Sequence, residues 1–394
     1  MPGLLVLMGS GETSPTMVEI HRAAARTLRA GARAVLLDTP YAFQENSADI
    51  SARACQYFAR SVGLDVEVAP AITGADWVFS GPGSPTYALD RWAGSGVAGD
   101  LRARVRAREG VTVLASAAAC TAGLATVPVY EIYKVGAEPH WREGIDLLEP
   151  LGLQAVLIPH YDNAEGGTHD TRYCYLGERR LSRMERELPP GTAVLGLDEH
   201  TALVIDLESE SVRIAGRGGL TVRRPGAQTV LPSGTRLDLA ELRRLAEGGA
   251  GGHVPALPEP ETLPAEVTLE ESIQSCEELF KAAADRPDLV AAAQAVLDLE
   301  AEMVKWAADT EEDSGGVEQA RELMRLLIAR LGELAATATQ RSQALPSLVE
   351  PLLALRAELR GQGCYDVADA LRAALTHGGV TIEDTPDGSR WTVS

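Results

Sequence analysis

Residues 111–119 read VTVLASAAA, a short apolar run that ends at Ser116 and passes directly into three alanines. A run rich in β-branched residues that is followed by strong helix formers is typical of a buried strand that turns into a helix. In a doubly wound α/β sheet, the carboxyl ends of the central strands present the functional groups. We therefore predict a central strand over 111–116 whose end places Ser116 in a crevice.

Similar apolar runs recur on both sides of this stretch and alternate with amphipathic segments. Strands that alternate with helices form a mostly parallel sheet with helices on both faces. The predicted fold class is therefore α/β, with a doubly wound, mostly parallel sheet over residues 1–224. The predicted strands are 4–9, 34–40, 66–72, 77–81, 111–116, 155–161, 193–199 and 201–207, followed by a terminal β-hairpin over 211–224.

A different pattern begins after this domain. Residues 225–266 are rich in Gly, Pro and Ala and lack periodicity, which indicates an interdomain linker. Over residues 267–394, apolar residues recur at i, i+3, i+4 and i+7, which predicts a helical bundle, and a tight turn at Asp387-Gly388 predicts a small β-hairpin. The predicted helices are 269–284, 288–309, 317–337, 348–363 and 366–379.

The negative charge is concentrated in the second half of the chain. The sequence has 36 Lys and Arg against 56 Asp and Glu, and residues from Pro255 onward supply −15 of the net charge of −20. So acidic a surface repels phosphate backbones and anionic lipid headgroups. There are five scattered cysteines and no apolar run of about 20 residues, so we expect a cytoplasmic protein with no membrane partner.

Two more polar segments follow predicted strands. In IPHYDN (158–163), His160 stands at a strand end, where a histidine can act as a general base. The turn SGPGSP (80–85) offers the N–H of Gly83 or Ser84 to an oxyanion, together with the Ala117 N–H that follows the serine. The loop after His160 contains side chains suited to substrate binding, and the predicted substrate-binding residues are Asn163 and Arg172.

The order of SGETSPTM, SGPGSPTYAL, VTVLASAAA, IPHYDN and GLDEHTAL over residues 1–223 resembles the dipeptidase E and cyanophycinase family, the class I glutamine amidotransferase-like serine peptidases. The resemblance implies that Ser116 is the nucleophile and His160 the base. The acid that orients the base is implied to be Glu131, fifteen residues after the serine, or Glu199 in GLDEHTAL. The implied activity is hydrolysis of a small peptide or amide without a cofactor.

The residues leave alternatives to this mechanism open. The elbow positions two residues before and after the serine are normally glycine but are Leu114 and Ala118 here, which fits a non-catalytic relative that binds a ligand, RNA or a protein as an adaptor. Cys120 is an alternative nucleophile, because amidotransferase relatives use cysteine. His140 and His169 have no metal-ligand spacing, so we expect no metal.

The last 29 residues contain ADALR (368–372) and EDTPDGSRW (383–391), which resemble the C-terminal region of cysteinyl-tRNA synthetases. That resemblance implies a helical domain of the anticodon-stem-binding type without the synthetase's catalytic core. Phosphate contacts require Lys and Arg, so the acidity of this region disfavours tRNA as a partner. We expect the helices to dock on the hydrolase domain, on a partner protein or on a second copy in a homodimer.

Overall fold

The computed structural model describes residues 3–165, 169–249, 269–306, 316–385 and 388–393. The chain divides into two compact units, Met1–Ser272 with Ala301–Ala320, and Ile273–Glu300 with Arg321–Ser394. Within the described ranges, no helix combines the length and the apolar character needed to cross a bilayer.

The strands and helices follow in chain order. The strands are β1 (Leu4–Met8), β2 (Ala34–Leu36), β3 (Val66–Val68), β4 (Trp77–Ser80), β5 (Val111–Ala115), β6 (Ala125–Thr126), β7 (Arg142–Glu143), β8 (Ala155–Ile158), β9 (Ala193–Leu197), β10 (Thr201–Asp206), β11 (Ser211–Gly216), β12 (Gly219–Arg224), β13 (Ala227–Pro232), β14 (Arg236–Asp238), β15 (Val380–Thr385) and β16 (Gly388–Val393). The helices are α1 (Val18–Ala25), α2 (Ser47–Tyr57), α3 (Pro85–Ser95), α4 (Val97–Ala107), α5 (Ser116–Cys120), α6 (Val129–Tyr133), α7 (Gly177–Glu185), α8 (Leu239–Ala246), α9 (Leu269–Asp285), α10 (Leu289–Trp306), α11 (Gly316–Gly361) and α12 (Tyr365–His377).

The main sheet of the first unit has the order β14-β11-β10-β1-β5-β4-β2-β3. Strands β1, β5, β4, β2 and β3 are parallel to one another, whereas β10, β11 and β14 extend the sheet in antiparallel fashion. The predicted α/β fold is therefore confirmed, with a mixed sheet in which VTVLA forms β5, between β1 and β4 of the parallel half.

Strand residues alternate between two apolar cores. In β1, Leu5 and Leu7 belong to the core that also contains Trp92 of α3, while Val6 and Met8 belong to the core that contains Phe58 after α2. All five residues of β1 are buried, because helices cover both faces of the sheet at this strand. This two-sided burial explains why the strand reads as a continuous apolar run.

A second sheet has the order β13-β12-β9-β8. Strands β8 and β9 are parallel, so their carboxyl ends lie side by side at one edge. The β-hairpin predicted over 211–224 is wrong: β11 pairs with β10 and β14 in the main sheet, whereas β12 pairs with β9 and β13 in the second. The chain changes sheets at Gly216, whose φ of +118° suits glycine.

The linker predicted over 225–266 begins too early. Residues 227–246 form β13, β14 and α8, and the buried Leu239 and Leu242 of α8 pack into the core of the main sheet. Gly226 and Gly234, both with positive φ, make the tight turns that a composition-based reading takes for a linker. Residues 250–266 of the predicted linker lie outside the described residues.

The second unit is helical and ends in the predicted hairpin, in which β15 and β16 are antiparallel with Thr385 opposite Gly388. The hairpin packs on α11 through an apolar cluster that includes Val349 and Ile382. Arg356 of α11 is 1% exposed and forms two hydrogen bonds with the Asp384 carboxylate, at 2.7 and 2.9 Å. Residues 386–387, within the predicted turn, lie outside the described residues.

The two helices predicted at 317–337 and 348–363 form one helix, α11, which continues through Pro346 and Pro351. Each proline removes a backbone N–H and so one intrahelical hydrogen bond. The other intrahelical hydrogen bonds of α11 are sufficient to maintain the helix at both positions, so neither proline ends it.

Candidate active site

Ser116 begins α5, directly after the central strand β5. Its φ is +46°, a left-handed conformation that non-glycine residues rarely adopt and that is found at strained functional turns. Strand β5 lies between β1 and β4, so the serine stands among the carboxyl ends of parallel strands. The strand-to-helix turn predicted from VTVLASAAA is therefore present.

His160 and Glu199 come from the second sheet, where they follow the adjacent parallel strands β8 and β9. The His160 Nε2 lies 2.9 Å from the Ser116 Oγ, and its Nδ1 lies 2.9 Å from the Glu199 Oε1. His160 also has a positive φ, +48°, at the turn that directs its ring to the serine. Three side chains predicted from separate segments thus form one continuous hydrogen-bonded chain.

The structure distinguishes between the two candidate acids. Glu199 contacts His160, whereas the carboxylate of Glu131 accepts a hydrogen bond of 3.1 Å from the Thr86 hydroxyl. Burial raises the pKa of Glu199, but the hydrogen bonds from His160 and Asn163 outweigh it, so this pKa lies below its ordinary value. An ionised carboxylate at this position suits the role of orienting a histidine.

Asn163 was predicted to bind substrate, and the structure places it elsewhere. It is fully buried, and its Nδ2 donates a hydrogen bond of 3.0 Å to the Glu199 Oε1. Asn163 lies three residues after His160, and its amide contacts the same carboxylate as the histidine ring. Asn163 therefore holds the acid, and does not contact the cavity.

Two carboxylates that were not among the predicted site residues also form hydrogen bonds next to Glu199. The Asp162 Oδ1 accepts a hydrogen bond of 2.7 Å from the Glu199 N–H, and the Asp198 Oδ2 accepts one of 2.8 Å from the Gly219 N–H. Burial, and then the charge of Asp162, raise the pKa of Asp198 to about 6. Asp162 directly precedes Asn163, and Asp198 directly precedes Glu199. This adjacency to predicted site residues is the feature of the sequence that could have indicated both acids.

The segment SGETSPTM contributes through its hydroxyl groups. The Thr16 Oγ1 lies 2.9 Å from the Nδ1 of His200, the residue that follows Glu199. The His200 N–H donates to the Ser10 Oγ at 3.3 Å. The segment SGETSPTM thus holds the backbone at His200, next to the acid Glu199.

The candidate oxyanion donors are the N–H groups of Gly83 and Ala117, which both line the cavity beside the serine. Ala117 lies in the first turn of α5, where N–H groups have no intrahelical acceptor. The neighbouring amides are already used: Ser84 N–H donates to the Pro40 carbonyl at 2.7 Å, and Ala118 N–H donates to the Gly81 carbonyl at 3.2 Å. Of the two alternatives in the turn, Gly83 is therefore the better donor.

The altered elbow does not obstruct this site. Leu114 and Ala118 are completely buried and pack into the core beneath the sheet, and neither lines the cavity. The feature that favoured a non-catalytic relative is thus directed away from the serine.

Cys120 is poorly suited to act as a nucleophile. Burial raises the pKa of its thiol to about 12, although the thiol faces the Val127 carbonyl at 3.8 Å. The thiolate is the reactive form of cysteine, and it would be scarce near neutral pH.

The cavity at Ser116 has a volume of about 560 Å³, within the range of small-molecule sites. Arg172, predicted to bind substrate, is not among its lining residues; the guanidinium forms hydrogen bonds of 2.8 and 2.9 Å with Asp170. Lys134 lines the cavity, with its ammonium 5.5 Å from the centre of the Tyr130 ring. Across the described residues, no group of three or more His, Cys, Asp and Glu is arranged to hold a metal ion.

Two groups of known proteins are similar to parts of this chain. A peptidase from an acI-B1 Actinobacterium is 16% identical with a TM-score of 0.45, over 60% of this chain and 97% of its own. A candidate peptidase E protein from Listeria monocytogenes is 12% identical with a TM-score of 0.39, over 55% of this chain and 99% of its own. No protein-family model matches the chain.

The curated relatives are cysteine–tRNA ligases. The ligase of Leifsonia xyli is 49% identical over 51 residues, and that of Deinococcus radiodurans is 38% identical over 65 residues. The chain spans only 11% and 13% of the length of these two relatives. Peptidase E-type structures and cysteine–tRNA ligases are thus both similar to parts of this chain, as the two resemblances predicted.

Proposed function

We propose that this chain is a serine hydrolase that cleaves an amide bond in a small peptide or amide. The observation that carries the proposal is the hydrogen-bonded series Ser116–His160–Glu199, with 2.9 Å at each contact. A nucleophile, a base and an orienting carboxylate in that order are the arrangement that recurs among serine hydrolases of unrelated folds.

In the proposed reaction, the Ser116 Oγ attacks the carbonyl carbon and its proton passes to the His160 Nε2. The Gly83 and Ala117 N–H groups stabilise the negative charge that develops on the carbonyl oxygen. The protonated His160 then donates this proton to the leaving nitrogen, which departs as an amine. Water, deprotonated by His160, releases the acyl group and restores the serine.

The walls of the cavity support a small, charged substrate. Lys134 offers a cation to a substrate carboxylate, and Glu165 offers a carboxylate to an amino group. The Glu165 carboxylate already accepts a hydrogen bond of 2.8 Å from the Tyr175 hydroxyl, which holds it at the cavity wall. Short peptides with free termini meet both requirements.

The test is a mass-spectrometric turnover assay on a panel of short peptides and amides that includes aspartyl and β-aspartyl dipeptides. Cleavage by the wild type that is lost in Ser116→Ala and retained in Cys120→Ala would support the proposal. Cleavage retained by Ser116→Ala, or absent from the wild type across the panel, would count against it and favour the ligand-binding alternative.

A further inference from the structure

A second cavity, of about 340 Å³, lies between α1 and the antiparallel half of the main sheet, and shares no lining residue with the cavity at Ser116. Its walls are mostly aliphatic on the helix side and mixed on the sheet side. The lining residues that matter here are Leu4, Ile20, Val204, Arg213, Arg236 and Leu237.

Two arginines stand next to each other in this cavity. Arg213 of β11 is directly opposite Arg236 of β14, so their side chains share one face of the sheet. Arg213 is half-buried and Arg236 is exposed. Within the described part of the chain, neither guanidinium forms an ion pair or a side-chain hydrogen bond. Burial, and then the charge of Arg236, lower the pKa of Arg213.

Among the described residues that line this cavity, the acidic one is Asp206, and it forms no ion pair with either arginine. Asp206 faces the same cavity, but its Oδ1 accepts the N–H groups of Glu208 and Ser209 at 3.0 and 2.9 Å, which closes the turn after β10. In the pairing of β10 with β11, Asp206 is opposite Ser211, two residues before Arg213.

Several other partly buried arginines of this unit have carboxylate partners, and Arg104, Arg180 and Arg224 donate hydrogen bonds to backbone carbonyls. Arg223 contacts both Glu178 and Glu185, and Arg243 contacts Glu210. Like charges directly opposite on a sheet destabilise it, and a partly buried charge without a counter-ion is costly. Within the described residues, Arg213 and Arg236 have neither kind of partner, so an anion from outside the chain would stabilise this pair.

We infer that this cavity binds a small amphipathic anion, whose carboxylate or phosphate group lies on Arg213 and Arg236 and whose apolar body packs against Ile20, Val204 and Leu237. Two planar guanidinium groups suit a carboxylate or phosphate, because each can donate paired hydrogen bonds. The aliphatic walls and the volume suit a short alkyl or aromatic group. The site is independent of the proposed hydrolase activity.

Isothermal titration calorimetry of the full chain with octanoate tests this inference, with octanamide and inorganic phosphate as the uncharged and the non-apolar comparisons. Octanoate should bind at one site per chain and more tightly than either comparison ligand. The double variant Arg213→Met/Arg236→Met should weaken octanoate binding at least tenfold. Ser116→Ala and the exposed-surface control Arg186→Met should bind octanoate like the wild type.

Thermal unfolding distinguishes a loss of the binding site from a general loss of folded structure in the double variant. Without ligand, the double variant should unfold at the same or a higher temperature than the wild type, since a like-charge contact is removed. Octanoate should raise the unfolding temperature of the wild type and of Arg236→Lys. Equal octanoate affinity in wild type and double variant, equal affinity for octanamide, or no binding to the wild type would overturn the inference.

Discussion

The Asn163 Nδ2 donates a hydrogen bond of 3.0 Å to the Glu199 Oε1, the same oxygen that lies 2.9 Å from the His160 Nδ1. One carboxylate oxygen thus joins the candidate base to a fully buried amide. This amide fixes the carboxylate so that its lone pair faces the imidazole, which is the role of outer hydrogen bonds around reactive groups.

Asn163→Leu should lower kcat about tenfold, since a hydrogen bond to a charged group contributes about 1.5 kcal/mol or more. KM should change little, because the side chain does not line the cavity. The same change should raise the Glu199 pKa, because one of the hydrogen bonds that stabilise its carboxylate is lost. A raised KM with unchanged kcat would show instead that Asn163 binds the substrate.

Glu199→Gln and Glu131→Gln form a matched pair that tests which acid orients the base. Glu199→Gln should reduce kcat by about 10³- to 10⁴-fold, the scale of effect when an orienting carboxylate becomes an amide. Glu131→Gln should stay within a few-fold of the wild type, because its carboxylate contacts Thr86. Steady-state kinetics of both variants on one substrate measure these effects. A larger loss of kcat in Glu131→Gln than in Glu199→Gln would contradict the assignment of Glu199 as the orienting acid.

Gly83→Ala should affect stability and activity together. Gly83 has φ of +122°, and an added Cβ would overlap the Pro40 carbonyl. Gly63 also has positive φ, +80°, but open space around it, so Gly63→Ala isolates the backbone cost of about 1 kcal/mol.

In urea unfolding, Gly83→Ala should cost at least twice as much as Gly63→Ala. It should also lower kcat by about 100-fold or more, as loss of an oxyanion donor does. Equal stability losses with full activity would show that Gly83 is neither confined by Pro40 nor part of the oxyanion site.

Stability should fall in mild acid because of His21. Burial, only partly offset by the hydrogen bond to the Glu12 carbonyl, lowers the pKa of His21 from 6.5 to about 4. The unfolded chain therefore binds a proton near pH 6.5 that the folded protein does not. The resulting stability is present in full above pH 6.5 and is lost as pH falls towards 4, by up to about 3 kcal/mol.

His21→Gln retains a donor for the Glu12 carbonyl but does not titrate, so its free energy of unfolding should depend less on pH between 6.5 and 4. The exposed His140→Gln should keep the wild-type dependence. Urea unfolding at pH 7, 5.5 and 4.5 measures both. Parallel curves for His21→Gln and the wild type would exclude His21 as the source.

Local patterns sufficed for the parallel strands of the main sheet and for the serine turn. VTVLA is buried at every position and apolar at all but Thr112, because helices cover both faces of the sheet, and that signal is contained in the sequence itself. The pairing of strands is not local: nothing in 211–224 states that β11 and β12 join different sheets. Composition likewise could not distinguish the turns at Gly226 and Gly234 from a linker.

For the site, sequence order gave the serine, the histidine and two acids. The choice between Glu131 and Glu199 depends on β8 and β9 lying side by side, a tertiary relationship that spacing along the chain does not encode. The same adjacency turns Asn163 towards Glu199, while Arg172 is satisfied by Asp170, its neighbour two residues earlier. Residue type alone suggested substrate binding for both.

Labelling with a fluorophosphonate tests, without knowledge of the substrate, whether Ser116 is a nucleophile that His160 activates. Intact-protein and peptide mass spectrometry should find one phosphonyl adduct, on Ser116. Labelling should be absent in Ser116→Ala and strongly slowed in His160→Gln. An unlabelled wild type would contradict the role of Ser116 as nucleophile, and an adduct that forms at the same rate in His160→Gln would contradict its activation by His160.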